Sequence, residues 1–136
     1  MEKVKKIIGL DTNVVLTYRL ERGKEFKIVN NLFKECLTDK IKLYIPNPVI
    51  LETEWTLRSF YKQTKEQIIE FFEELLSIEN MVTDNKEIVK FALNLYKQSA
   101  DVSFTDCLIL IQIKNHPQAL FLTFDKQLGK LYQSFQ

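Results

Sequence analysis

The sequence predicts an α/β protein, a single-domain α/β/α sandwich around a mainly parallel central sheet over residues 1–136. Three observations predict it. Short apolar runs (Ile7-Ile8, Leu43-Tyr44-Ile45, Leu120 to Phe124) alternate along the chain with longer stretches of helical apolar spacing. Strands separated by helices pair in parallel through crossovers, and the helices cover both faces of the sheet. No repeat, low-complexity tract or linker divides the chain, and its 136 residues suit one hydrophobic core.

Val4 to Leu10 reads as the first strand, closing on Asp11-Thr12-Asn13, a helix-start signal. A short helix is expected to about Leu20, broken near Gly23, and Phe26, Val29, Phe33, Cys36 and Leu37 then recur at helical spacing. Leu43-Tyr44-Ile45 is a second strand stopped by Pro46, and Pro48 suits the first turn of a helix running to about Tyr61. Thr64 has the capping partner Gln67 three residues on, ahead of the stripe Ile68, Phe71, Phe72 and Leu75. Met81-Val82-Thr83 is a brief strand. Asp84 starts a helix with Ile88, Ala92, Leu95 and Tyr96 on one face, and Ser103 opens another through Cys107–Ile113. Leu120 to Phe124 is the clearest strand, and a last helix begins near Asp125.

Composition removes several functional classes. The longest wholly apolar run, Cys107 to Ile111, is far short of a membrane span. Lys3, Lys5 and Lys6 precede only Ile7, Ile8, Gly9 and Leu10 before Asp11, too short for the apolar region of a signal peptide. Cys36 and Cys107 lie in separate apolar periodic stretches and read as buried thiols of a reducing compartment, so a cytoplasmic location is expected. The net charge of +1 means that any nucleic acid would have to be held by local basic patches. The three glycines, Gly9, Gly23 and Gly129, build neither a P-loop nor a dinucleotide fingerprint. The one histidine, His116, sits beside Pro117 at a helix end, which suits the negative end of a helix better than a catalytic triad. No Cys/His cluster has zinc spacing. Carboxylates remain.

Asp11 follows a strand and precedes a helix. It reads equally as an N-cap and as an acid beyond the carboxyl end of a parallel strand, where open sheets bind ligands. Asp125, after Leu120-Phe121-Leu122-Thr123-Phe124, repeats both readings. Asp106 falls on the helical arc of Ile109, Leu110 and Ile113, so it faces inward and needs a partner, a proton or a metal. Ser103-Phe104-Thr105-Asp106 also matches a capping box, which would satisfy it at the helix start. In Leu51-Glu52-Thr53-Glu54-Trp55, Glu52 lies on the polar edge and Glu54 among Ile50, Leu57 and Tyr61; periodicity does not choose between them. Asp101 is a loop or capping residue with a secondary claim to line a site.

In order, Leu10-Asp11-Thr12-Asn13, Leu51-Glu52 with Trp55 and Leu57, Phe104-Thr105-Asp106 with Leu108 and Ile109, and Thr123-Phe124-Asp125 resemble the PIN-domain family, closest to its VapC-type toxin ribonucleases. The resemblance covers essentially the whole chain. Each motif is weak alone, while the ordered set is specific. It implies a Mg²⁺- or Mn²⁺-dependent endoribonuclease that leaves a 5′-phosphate. Its acids would be Asp11, Glu52, Asp106 and Asp125, which selects Glu52 over Glu54. Asn13 would help to hold the first acid, and Thr123 matches the polar residue two positions before the last. It also implies a cognate antitoxin docking in an apolar groove, and a homodimer.

Clustered carboxylates repel unless a cation lies among them, and hard oxygen donors suit Mg²⁺ or Mn²⁺. On that reading Asp11 and Asp106 contact the metal, while Glu52 and Asp125 complete the shell. RNA would need basic partners, for which Arg19, Arg22, Lys24, Arg58 and Lys126 lie near the motifs. Two other readings compete. A phosphotransfer domain also places acids beyond parallel strands; Asn13 stands where an Asp phosphatase has its second Asp, and Asp84 is the receiver-like choice. A catalytically silent PIN-like binding module is the other.

Overall fold

The computed structural model describes residues 4–135. Its elements follow the order β1 (Lys6–Gly9), α1 (Thr12–Leu20), α2 (Phe26–Leu37), β2 (Ile41–Tyr44), α3 (Asn47–Ser59), α4 (Lys65–Ser77), β3 (Met81–Val82), α5 (Lys86–Gln98), α6 (Phe104–Lys114) and α7 (Lys126–Ser134). The three strands form a parallel sheet in the order β1-β2-β3. The chain divides into two compact units between Lys86 and Glu87.

The first unit carries the sheet. Ile8 of β1 pairs with Leu43, and Gly9 with Tyr44; Leu43 and Tyr44 pair in turn with Met81 and Val82. Alternation along β2 buries Ile41 and Leu43 on one side and leaves Lys42 and Tyr44 half-buried on the other. Helix α2 packs on β2, α4 packs against β3 and α3, and α1 lies against α2 and α3. The apolar spacing seen in the sequence supplies these contacts: Val29, Phe33 and Cys36 of α2 are buried, as are Ile68, Phe71, Phe72 and Leu75 of α4. Thr64 and Gln67 form the full capping box expected of them.

At the amino end of the sheet, the buried Asn80 donates to Cys36 O (3.1 Å) and to Asp39 Oδ1 (2.9 Å), and Lys5 binds both Asp39 and Asn80. At the carboxyl end, Asp84 accepts from the Tyr44 hydroxyl and from Asn47 N–H (2.8 Å). This engagement explains why α5 begins at Lys86 and not at Asp84: the carboxylate caps α3 instead of its own helix. It also holds the Tyr44 phenol above its ordinary pKa.

The second unit contains α5, α6 and α7. Tyr96 of α5 meets Phe104 of α6 with ring centroids 5.6 Å apart. The strand expected at Leu120–Phe124 is not formed. These residues form no regular secondary structure, and Leu120, Leu122 and Phe124 are 89%, 82% and 95% exposed. An apolar run becomes a strand only where a neighbour completes its hydrogen bonds. Here Phe121 packs edge-on against Tyr132 of α7 (5.4 Å), and the Thr123 hydroxyl accepts from Asp125 N–H (3.1 Å). A further correction concerns α6. Its buried face is Phe104, Cys107, Leu108 and Leu110, whereas Ile109 is exposed. Apolar residues surround most of this helix, so spacing alone misplaced its inner face.

Two outcomes follow from these arrangements. Cys36 and Cys107 are fully buried and form no disulfide, and burial pushes the Cys36 thiol above its ordinary pKa. An aromatic disulfide reagent should therefore label neither thiol in the native protein and both in urea. The hydrogen bond from Lys5, then that from Asn80, holds the Asp39 carboxyl below its ordinary value. A depressed carboxylate stabilises the fold above its unfolded pKa of about 3.9 and loses that contribution as pH falls through its folded value. Urea midpoints measured at decreasing pH should fall less steeply below about pH 4 in Asp39→Asn than in the parent.

Candidate active site

Asp11 is placed by the end of the sheet. Leu10 N–H bonds to Tyr44 O (2.9 Å), and the extended backbone at Asp11 (φ −90°, ψ 177°) then begins α1. Its Oδ1 accepts from Val14 N–H (3.1 Å), so the N-cap reading holds. The cap engages only one oxygen. Oδ2 has no partner among the described residues, and the side chain is exposed on the wall of a cavity of about 570 Å³. Asn13 lines the same cavity and makes no hydrogen bond to Asp11 among the described residues; Val14 N–H orients that acid.

The two glutamates of α3 separate cleanly. Glu54 is 1% exposed and accepts from Arg58 Nε (2.8 Å) and Nη2 (3.4 Å). Glu52 is exposed and carries no hydrogen bond or ion pair among the described residues. Glu54 is thus a core carboxylate neutralised one turn along its own helix, and Glu52 is the one open to a ligand.

In the second unit, the Ser103 hydroxyl caps α6 by accepting from Asp106 N–H (3.1 Å). The reciprocal bond of a capping box is not made. The half-buried Asp106 carboxylate is left without a hydrogen-bond or ionic partner among the described residues. Asp125 caps α7, its Oδ1 accepting from Leu128 N–H (2.9 Å), with Thr123 bracing its backbone. It therefore starts a helix without ending a strand, which corrects the parallel drawn with Asp11. Asp101 is exposed and unpartnered among the described residues. His116 accepts from Gln118 N–H through Nδ1 (3.2 Å) in the turn after α6.

The basic residues are unequal. Arg58 is bound to Glu54. Arg19 donates to Gln63 Oε1 (3.2 Å) and lies over the Phe71 ring at 4.9 Å. Arg22 lies over Tyr61 at 4.8 Å and donates to its hydroxyl (2.6 Å), while staying exposed. Lys24 and Lys126 are exposed with no hydrogen bond or ion pair among the described residues. Tyr61, expected at the end of α3 and on the apolar face around Glu54, shares the Asp11 cavity with Arg22. A lone aromatic at a helix terminus carries no signal by itself, and only the fold brings it to that arginine. Asp84, the receiver-like choice, has both carboxylate oxygens engaged by Tyr44 and Asn47, which leaves it a structural group.

The donors suit a hard divalent cation in kind: free or half-free carboxylate oxygens on Asp11, Glu52, Asp106 and Asp125. Among the described residues, no group of three or more His, Cys, Asp or Glu side chains stands close enough together to hold an ion. The fit is one of chemistry and not of an assembled cage. Substitution should separate the two glutamates. Arg58→Met should cost on the order of 3 kcal/mol by removing the ion pair with buried Glu54. Glu52→Gln should change stability by less than about 0.5 kcal/mol, both read from urea unfolding.

The PIN domain family matches residues 8–133, across both units. The chain is also 28% identical over 122 residues to a VapC ribonuclease of Aquifex aeolicus (strain VF5), covering 90% of each chain. No solved structure matches. No helix among the described residues is long and apolar enough to cross a membrane.

Proposed function

The chain belongs to the PIN-domain family, and we propose that it is a metal-dependent endoribonuclease, the toxin of a toxin–antitoxin pair, acting in the cytoplasm as one PIN-like domain over residues 1–136. The observation that carries this reading is Asp106. Its half-buried carboxylate meets no hydrogen-bond or ionic partner among the described residues, so both oxygens are available to a hard cation. The VapC ribonuclease relative supports the choice of reaction.

In this proposal Asp11 and Asp106 are the residues that hold the ion, Mg²⁺ or Mn²⁺, and Glu52 and Asp125 complete the acidic set. When bound, the ion would supply a Lewis acid that lowers the pKa of water and offsets charge developing on the phosphate. The chain's own residues do the rest. Val14 N–H and Leu128 N–H fix one oxygen each of Asp11 and Asp125, which leaves the other oxygen of each pointing free of its cap. Glu52, with no competing partner, serves to orient the attacking water and to accept its proton. Arg22, Lys24 and Lys126 offset the repulsion between acids and RNA. A cognate antitoxin and a homodimer complete the proposal.

Purified protein should cut RNA in Mg²⁺ or Mn²⁺ and stop on chelation. Asp11→Asn and Asp106→Asn should each lower kcat by about two to three orders of magnitude, as for loss of one preorganised electrostatic group. RNA that is bound yet remains uncut in both metals would sink the nuclease reading and leave a silent binding module.

A further inference from the structure

The cavity beside Asp11 has a wall that the acidic set does not use. At about 570 Å³ it lies within the roughly 300–1,000 Å³ of small-ligand sites. Asp11 and Asn13 line it together with the buried apolar Val29 and the pair Arg22 and Tyr61. Arg22 lies 4.8 Å from the Tyr61 ring centroid and is tied to the Tyr61 hydroxyl at 2.6 Å. Phe60 braces the ring edge-on at 4.8 Å.

Backbone geometry holds this pair ready. Tyr61 leaves the end of α3 with its N–H on Thr56 O (3.2 Å), and the chain reverses at Lys62 in the left-handed region (φ 56°). Arg22 stands between Glu21 (φ 52°), which closes α1, and Gly23 (φ 92°), a conformation that favours glycine. An aromatic ring and a guanidinium are the groups on which nucleobases stack, and the guanidinium also donates to phosphate. Such a surface accepts a base only when its faces are uncovered, as in an unpaired nucleotide.

We propose that the Arg22–Tyr61 wall is a nucleotide subsite: an unpaired RNA base stacks on it, with the adjoining phosphate leading to Asp11. The substrate is single-stranded at this position. The subsite rests on the ribonuclease reading for its substrate, but base binding and cleavage are measured separately.

The probes are a short labelled single-stranded RNA and the same RNA annealed to its complement. Binding is read by anisotropy and cleavage by steady-state kinetics, with thermal unfolding as the check on each variant. Tyr61→Leu should raise Kd and KM about tenfold or more, since stacking is worth roughly 1–3 kcal/mol per base, and kcat should move less than KM. Tyr61→Phe, which keeps the ring, should retain most of the affinity. Arg22→Gln should weaken binding in the same sense as Tyr61→Leu and provides the test if the leucine variant does not fold. Equal Kd and KM in the parent, Tyr61→Leu and Arg22→Gln would overturn the subsite, as would duplex binding as tight as single-strand binding. A parent that binds single-stranded RNA through Tyr61 but cuts none in Mg²⁺ or Mn²⁺ would sink the nuclease reading and leave the subsite standing. A parent that neither binds nor cuts overturns both.

Discussion

Asp84 ties the carboxyl edge of the sheet together. Its two oxygens take the hydroxyl of Tyr44, at the end of β2, and the N–H of Asn47, at the start of α3, while its own chain has just left β3. A parallel ladder as short as this one has few rungs, so a charge-assisted clamp across two strand ends has a large share in holding its register. Because α3 starts at that clamp, the clamp also sets where Glu52, in the middle of the helix, and Tyr61, two residues past its end, fall.

Within that frame, acids divide by what their oxygens already do. Glu54, Asp39 and Asp84 have charged or hydrogen-bonding partners and stabilise the fold. Asp11 and Asp125 cap helices through one oxygen and keep the other open. Glu52 and Asp106 have no such partners among the described residues. Counting lone pairs in this way distinguishes structural from available carboxylates better than charge or exposure does. Asp106 shows why, since it is less exposed than Glu52 yet equally unengaged.

The same reasoning sorts the basic residues. Arg58 neutralises a buried acid and Arg19 packs over Phe71, so both hold helices in place. Arg22 is held too, but by a ring that itself borders the Asp11 cavity, and its exposed side remains available. Two residues with positive φ flank it, so its position is a property of the backbone and not of side-chain packing alone.

The sequence by itself determined the helices, because a period near 3.6 and the caps at Asp11, Thr64, Ser103 and Asp125 are local properties that need no partner. It also named, through the ordered motifs, the family that the comparison then matched over residues 8–133. Only the tertiary structure decided the rest. Leu120–Phe124 has the apolar run of a strand, but strand pairing is non-local and that segment packs on α7 instead. Glu52 and Glu54, left open on a helical projection and divided by the family resemblance in favour of Glu52, differ in burial: Glu54 lies in the core and Glu52 is exposed. Burial of α6 could not be read from a helix apolar nearly all round, and Tyr61 gained meaning only beside Arg22. For Leu120–Phe124, for α6 and for Tyr61 the deciding contact lies outside the local repeat, and no spacing rule along the chain encodes it.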